Sequence, residues 1–288
     1  VEGDVVASGL GRVADVRPGD FDGDGDLDLL VAAFGWHTTG DIRMFWNVAL
    51  PEEMPRFEDE IIDPRPGAIH VPPCDLDGDG HLDFVALISQ EHEQIAVFMS
   101  QQGSKQKTAP FRMQTIWEAP DLTFGSSGIR LTDLDVDGDV DILYTNGDAF
   151  DNGFVFPSHG IQWLENKGDL KFAYHRLTDF TCAYVALPGD IDLDGDLDIV
   201  AVAWAPENAE PSNVYDRPLA SIICLEQVAP LEFVPHILEK EVLHHAALEL
   251  EDFDDDGDLD LAVGYDLTHS GWVDIWWNLA KTRHSESR

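Results

Sequence analysis

One nine-residue stretch occurs five times, and it constrains the fold more than any other feature of the chain. Its first copy is Asp20-Phe21-Asp22-Gly23-Asp24-Gly25-Asp26-Leu27-Asp28, of the form DxDxDGxxD, and later copies begin at Asp75, Asp133, Asp190 and Asp252. The intervals are 55, 58, 57 and 62 residues, and each copy runs into an apolar segment. Self-similarity at that period is the signature of a repeat architecture.

Carboxylates at positions 1, 3, 5 and 9 of a tight loop, with glycine at position 6 to permit the turn, can converge on one hard cation. Calcium takes six to eight oxygen ligands in a flexible cage and suits this set. The predicted side-chain ligands are Asp20, Asp22, Asp24 and Asp28; Asp75, Asp77, Asp79 and Asp83; Asp133, Asp135, Asp137 and Asp141; Asp190, Asp192, Asp194 and Asp198; Asp252, Asp254, Asp256 and Asp260. Position 7 is Asp26, His81, Asp139, Asp196 or Asp258, and a site that accepts histidine there uses the backbone carbonyl. A single Asp/Gly cluster also reads as a solvated turn. Five in register favour a cation, because crowded carboxylates repel unless one compensates them.

An EF-hand begins similarly but needs a bidentate Glu at position 12 and flanking helices. Position 12 here is Val31, Ala86, Tyr144, Ala201 or Val263, none a ligand. Each loop leads into a run of strand length, such as Leu29-Leu30-Val31-Ala32 or Ile199-Val200-Ala201-Val202, so the loops join strands. Asp-Gly-Asp-Leu-Asp before an apolar strand, at a period near 57 residues, resembles the FG-GAP/VCBS repeat family. That resemblance implies a calcium-stapled β-propeller with up to five structural Ca2+ ions. Members include adhesion modules, lectins and polysaccharide lyases, so the fold does not choose among chemistries.

The predicted fold is therefore all-β, a β-propeller of four-stranded blades over residues 1–279. The blades span about 13–62, 68–117, 128–177, 183–238 and 245–278. The fifth repeat ends after Trp277-Asn278 without a fourth strand, and Val1 to Val6 precede the first inner strand at the distance at which Phe57 to Ile62 precede the second. The N-terminal segment is thus predicted to complete the fifth blade and remove an exposed edge. Part of a seven-bladed propeller is the alternative. Residues 280–288 read as a polar tail.

Seventeen Lys and Arg face 56 Asp and Glu, a formal charge of −39. Such a chain is not expected to bind nucleic acid and should be repelled by anionic membrane surfaces. A hydrophobic content of 44% supports a core, so the acidity does not signal disorder. No apolar run approaches membrane-spanning length and no leader opens the chain, and sites of modest calcium affinity suit an extracytoplasmic place: periplasm, cell surface or medium. Cys74 reads as a small buried thiol before a loop, while Cys182 and Cys224 leave a disulfide open.

Binding is expected on the face away from the acidic loops, where long connections ride on a rigid scaffold. Asn146 to Gly160 carries Phe150, Phe154, Phe156 and His159; Ala205 to Leu219 carries Glu207, Asn208, Tyr215 and Arg217. These aromatics read either as a partner-docking surface or as a satellite core. The same face is expected to hold Arg12, Arg65, His70, Arg130, Tyr184, His244 and His245, which can serve as neutraliser, base and acid in a lyase-type enzyme. A glycan-binding module would use Trp36, Trp204 and Asp266. No GxSxG, HExxH, phosphate-cradling glycine loop or haem-attachment motif occurs. The expectation is a binding scaffold or accessory subunit for a protein partner, with a lectin-like module and a lyase as alternatives.

Overall fold

Apolar runs of six to nine residues, cut by Asp/Gly loops, can make only short strands, and those strands must stack to bury both faces. The computed structural model describes residues 4–36, 38–50, 53–101, 110–150, 153–214, 216, 218–241, 243–267 and 270–280. Among them lie five consecutive antiparallel sheets, an all-β fold of β-propeller type. The first sheet runs in order through β1 (Val13–Gly19), β2 (Asp28–Trp36), β3 (Thr39–Asn47) and β4 (Phe57–Asp63). In the second, β5 (Ala68–His70) and β6 (Pro73–Cys74) both pair with β7 (Asp83–Ile88), followed by β8 (Gln94–Ser100) and β9 (Phe111–Glu118). Pro72 splits that inner strand because it has no N–H to donate, although its carbonyl still accepts from Val85 N at 3.1 Å.

The third sheet holds β10 (Ser126–Thr132), β11 (Asp141–Asn146), β12 (Gly160–Asn166) and β13 (Phe172–Asp179). The fourth holds β14 (Ala183–Gly189), β15 (Asp198–Ala203), β16 (Leu219–Ala229) and β17 (Glu232–Glu241); the fifth holds β18 (His245–Glu251), β19 (Asp260–Leu267) and β20 (Ser270–Trp276). Residues 4–6, part of the segment predicted to complete this last sheet, lie outside any strand, with Val5 83% exposed. Residues 1–3 fall outside the described residues, as do 281–288 of the tail. The N-terminal segment lacks the phenylalanine that sits at the start of β4, β9, β13 and β17, so it offers less apolar area to hold a strand in place.

The chain divides into two compact units, Val1–Thr123 with Asp169–Lys171, and Phe124–Gly168 with Phe172–Arg288. In the first, Phe84 stacks on Phe98 at 4.4 Å and meets Phe111 edge-on at 5.0 Å, in a core that includes Phe21, Leu30 and Ile42. In the second, β15 shows the period of two that a strand buried on both faces requires. Ile199, Ala201 and Ala203 join the core containing Trp163 and Ile161, whereas Val200 and Val202 join the one containing Leu248 and Val263. Each of the Ile and Val side chains taken fully from water contributes roughly 1.5–3 kcal/mol, and each Ala about 0.8 kcal/mol. The repeat aromatics Phe98, Phe111, Trp163 and Phe233 are thus core packing.

All five inner strands carry a register shift near their first residue, at Val13/Asp15, Ala68/His70, Ser126/Gly128, Ala183/Val185 and His245/Ala247. A bulge there turns the strand end at the edge opposite the acidic loop. Cys74, Cys182 and Cys224 are free thiols, and Cys182 and Cys224 belong to different core clusters. No helix of the described residues is long and apolar enough to cross a membrane.

Candidate metal centres

Each acidic loop is first a backbone construction. The position-1 carboxylate folds the chain over itself: Asp20 Oδ1 accepts from Gly23 N at 2.8 Å and Asp24 N at 3.1 Å, and Oδ2 from Gly25 N at 3.1 Å. Asp75, Asp133 and Asp252 repeat the bonds to positions 5 and 6, and Asp190 the bond to position 5. Position 5 then accepts from the N–H of position 7 in every loop, as in Asp24 from Asp26, Asp79 from His81 and Asp137 from Asp139. The glycine at position 6 has a left-handed φ of 88–102°, which only glycine adopts freely. Position 4 is left-handed too, and there the chain uses Gly23, Gly78, Val136, Leu193 and Asp255.

The position-9 aspartates are buried to within 2% exposure and act as two-sided staples. Asp28 accepts from Phe21 N at 3.1 Å and from Asn47 N at 2.8 Å, joining the loop to the end of β3. Asp83, Asp141, Asp198 and Asp260 do the same in their own sheets. The spacing marked these residues as ligands and missed the staple, since the second donor lies a whole hairpin away.

Three carboxylates per loop offer oxygens within 4.8 Å of one another. They are Asp20, Asp22 and Asp28; Asp75, Asp77 and Asp83; Asp133, Asp135 and Asp141; Asp190, Asp192 and Asp194; and Asp252, Asp254 and Asp260. Thus positions 1, 3 and 9 converge in four loops, and position 5 enters the set only in the fourth. Burial, followed by the neighbouring position-5 carboxylate, raises the pKa of Asp22, Asp135, Asp192 and Asp254. Asp28 and Asp141 are pushed up to about 6, burial outweighing the two N–H bonds that each accepts. One oxygen, Oδ1, of Asp26, Asp135 and Asp196 is buried with no hydrogen-bond partner. Of these three, Asp135 alone belongs to a converging set; a buried carboxylate oxygen is costly unless paired or bound to metal, and sets built only of oxygens can hold a hard cation.

Residues 20–86 and 75–144 match the FG-GAP-like repeat. Residues 20–144 carry FG-GAP-like repeats. The matched span takes in the first three acidic loops, and the fourth and fifth reproduce their position-9 staples. No curated protein matches the chain.

At the opposite ends of the third and fourth sheets, the two long connections meet. Val155 N donates to Glu210 O at 2.7 Å and Glu210 N to Gly153 O at 2.6 Å, with a parallel bridge between Phe154 and Glu210. Ala149 and Ala209 anchor the loops in the core. Phe150 is 63% and Phe154 49% exposed, so the satellite-core reading fails for these two, while His159 is buried. Burial, then the Arg176 guanidinium, pushes the His159 imidazole down to about 4. Tyr215 and Arg217 lie outside the described residues.

The catalytic candidates are engaged elsewhere. In the first unit, Arg12 lies 4.4 Å over the Phe34 ring and donates to Gly35 O; Arg65 pairs with Asp63 and Gln94; and His70 lies 3.9 Å from Asp15. In the second, Arg130 is half-buried on β10, and the Tyr184 ring is 5.7 Å from Trp204, whose backbone bridges His244. His244 precedes β18 rather than lying on it, and burial lowers its pKa against the raising influence of Glu207. His245 is fully buried, with Nε2 2.5 Å from Glu239 Oε2, and Ser221 Oγ donates to the same oxygen at 2.6 Å. That sealed network joins the fourth and fifth sheets and had no sequence signal, its members lying on three strands. Of the glycan candidates, Trp204 is 8% exposed and offers little ring for stacking, Asp266 N donates to His244 O at 2.8 Å, and the side chain of Trp36 is not described.

Proposed function

We propose that this chain is a calcium-stabilised, extracytoplasmic β-propeller scaffold or accessory subunit that presents its long-loop face to a protein partner. The carrying observation is the pair of loops zipped through Glu210, which displays exposed Phe150 and Phe154 on a frame whose opposite ends are acidic loops. The metals are structural in this reading. Asp20, Asp22, Asp24 and Asp28 and their counterparts hold each Ca2+, with the position-7 backbone carbonyl adding an oxygen. A bound cation cancels the mutual repulsion of each acid set and so ties the first strand of a sheet to the second. An extracytoplasmic site, where calcium is millimolar, keeps sites of modest affinity filled.

The test is the native mass of the protein in a calcium-containing extract of its source, with mass spectrometry of whatever comigrates. A stoichiometric larger assembly is expected. A free particle near the chain mass of 31.9 kDa that turns over or retains a polysaccharide would replace this reading with an enzyme or lectin.

A further inference from the structure

The cleft between the two long loops of the second unit has walls, a floor and a charge, and none of these is needed by the acidic loops at the other end. It encloses about 590 Å³, with Val155, Phe156 and Pro157 on one side and Pro211, Val214 and Leu219 on the other. That volume accommodates one or two amino-acid side chains and lies in the range of functional pockets. Val155, Val214 and Leu219 also pack on the buried core beneath, so the floor is built rather than draped. Exposed Phe154, its ring 6.2 Å from that of Phe156, continues the apolar surface beyond it, and exposed Phe150 lies on the same loop with its ring 5.7 Å from Trp204.

The rim is acidic. Among the described residues of the two loops, 147–159 and 204–219, there are four carboxylates, Asp148, Glu207, Glu210 and Asp216, and no Lys or Arg. Asp216 lines the cleft itself with Asn213 and Thr181. Glu210 is held in place by Ser212 N, which donates to its Oε2 at 2.7 Å. Within a chain of formal charge −39, such a rim repels acidic segments and concentrates cationic ones.

We propose that this cleft docks a peptide segment of a protein partner in which an apolar side chain is flanked by lysine or arginine. The apolar group enters between Val155 and Val214, and the flanking cations meet the carboxylates of the rim. The inference rests on the scaffold reading and specifies its partner.

The test is selection of a phage-displayed random 12-mer peptide library on the intact protein in calcium, with titration of the enriched sequences as synthetic peptides. Enriched peptides should be net cationic around an apolar residue. Their affinity should fall at least fivefold between about 50 and 300 mM NaCl, because screening shortens the reach of the rim. It should fall at least tenfold on Phe150→Ser/Phe154→Ser, whose melting temperature and far-ultraviolet spectrum serve as folding controls. No enrichment, neutral or acidic consensus sequences, or equal binding by the double variant would each overturn the proposal. The native-mass measurement separates the two readings. A comigrating assembly that survives the double substitution removes this docking site and leaves the scaffold reading intact, whereas loss of the assembly on that substitution supports both.

Discussion

The carboxylate of Asp28 accepts the backbone N–H of Asn47 at 2.8 Å across a separation of 19 residues, while its other oxygen holds Phe21 N. One buried aspartate thereby fixes both the loop and the far end of the adjoining hairpin. The same bonds recur at Asp141, which is wholly buried. Asp141→Ala should therefore cost roughly 3 kcal/mol in excess chelator, the penalty of two orphaned buried N–H groups, and more in calcium, where a ligand is lost as well. Denaturant unfolding under both conditions reads this, and a loss confined to the calcium arm would contradict the staple.

Asp194 contrasts with Asp141 because it is exposed and stapled to nothing beyond its own loop, where it accepts from Asp196 N at 3.1 Å. Asp194→Ala should lower the melting temperature in calcium and change it little in chelator. Equal losses in both conditions would contradict ligation at this position.

Chelation itself should loosen the fold. At about 4 Å and an effective dielectric near 20, each close carboxylate pair repels by on the order of 4 kcal/mol before screening. Adding a chelator should lower the melting temperature by many degrees, and salt should recover part of it. A melting curve indifferent to chelator would mean that no bound metal stabilises the sheets.

Val136 sits at φ 57° and is 73% exposed, in a slot that the first two loops give to Gly23 and Gly78. A β-branched residue in the left-handed region costs about 1–2 kcal/mol, of which glycine returns part as chain entropy. Val136→Gly should stabilise the protein by roughly 0.5–1 kcal/mol, with no packing lost. Gly78→Val, the reverse change, should destabilise it, and urea titration of the two variants checks both signs.

His159 is buried beside Arg176 with its pKa lowered to about 4, against 6.5 when free. Between those values the unfolded chain binds the proton and the folded one does not, so the contribution of His159 to stability is present above 6.5 and lost as pH falls toward 4. The difference in unfolding free energy between wild type and His159→Asn should narrow by up to about 3 kcal/mol over that window. A difference independent of pH would mean that folding leaves the imidazole pKa unshifted.

What the sequence determined by itself is what short range encodes. The spacing of acids within nine residues, the glycine at position 6 and the apolar runs with their turns together specify the loops, the strand order within each sheet and the all-β repeat. The left-handed position 4 was also legible, since Gly23 and Gly78 occupy it, but Val136, Leu193 and Asp255 obscured the pattern. The tertiary structure decided the rest: that position 9 staples two hairpin ends, that Phe154 and Glu210 zip two loops into one surface, and that His245 is sealed against Glu239 rather than open to solvent. Each of these depends on which backbone and side-chain groups become neighbours when sheets stack. Buried donors and acceptors must then find partners far off in the chain, and no local spacing records that choice.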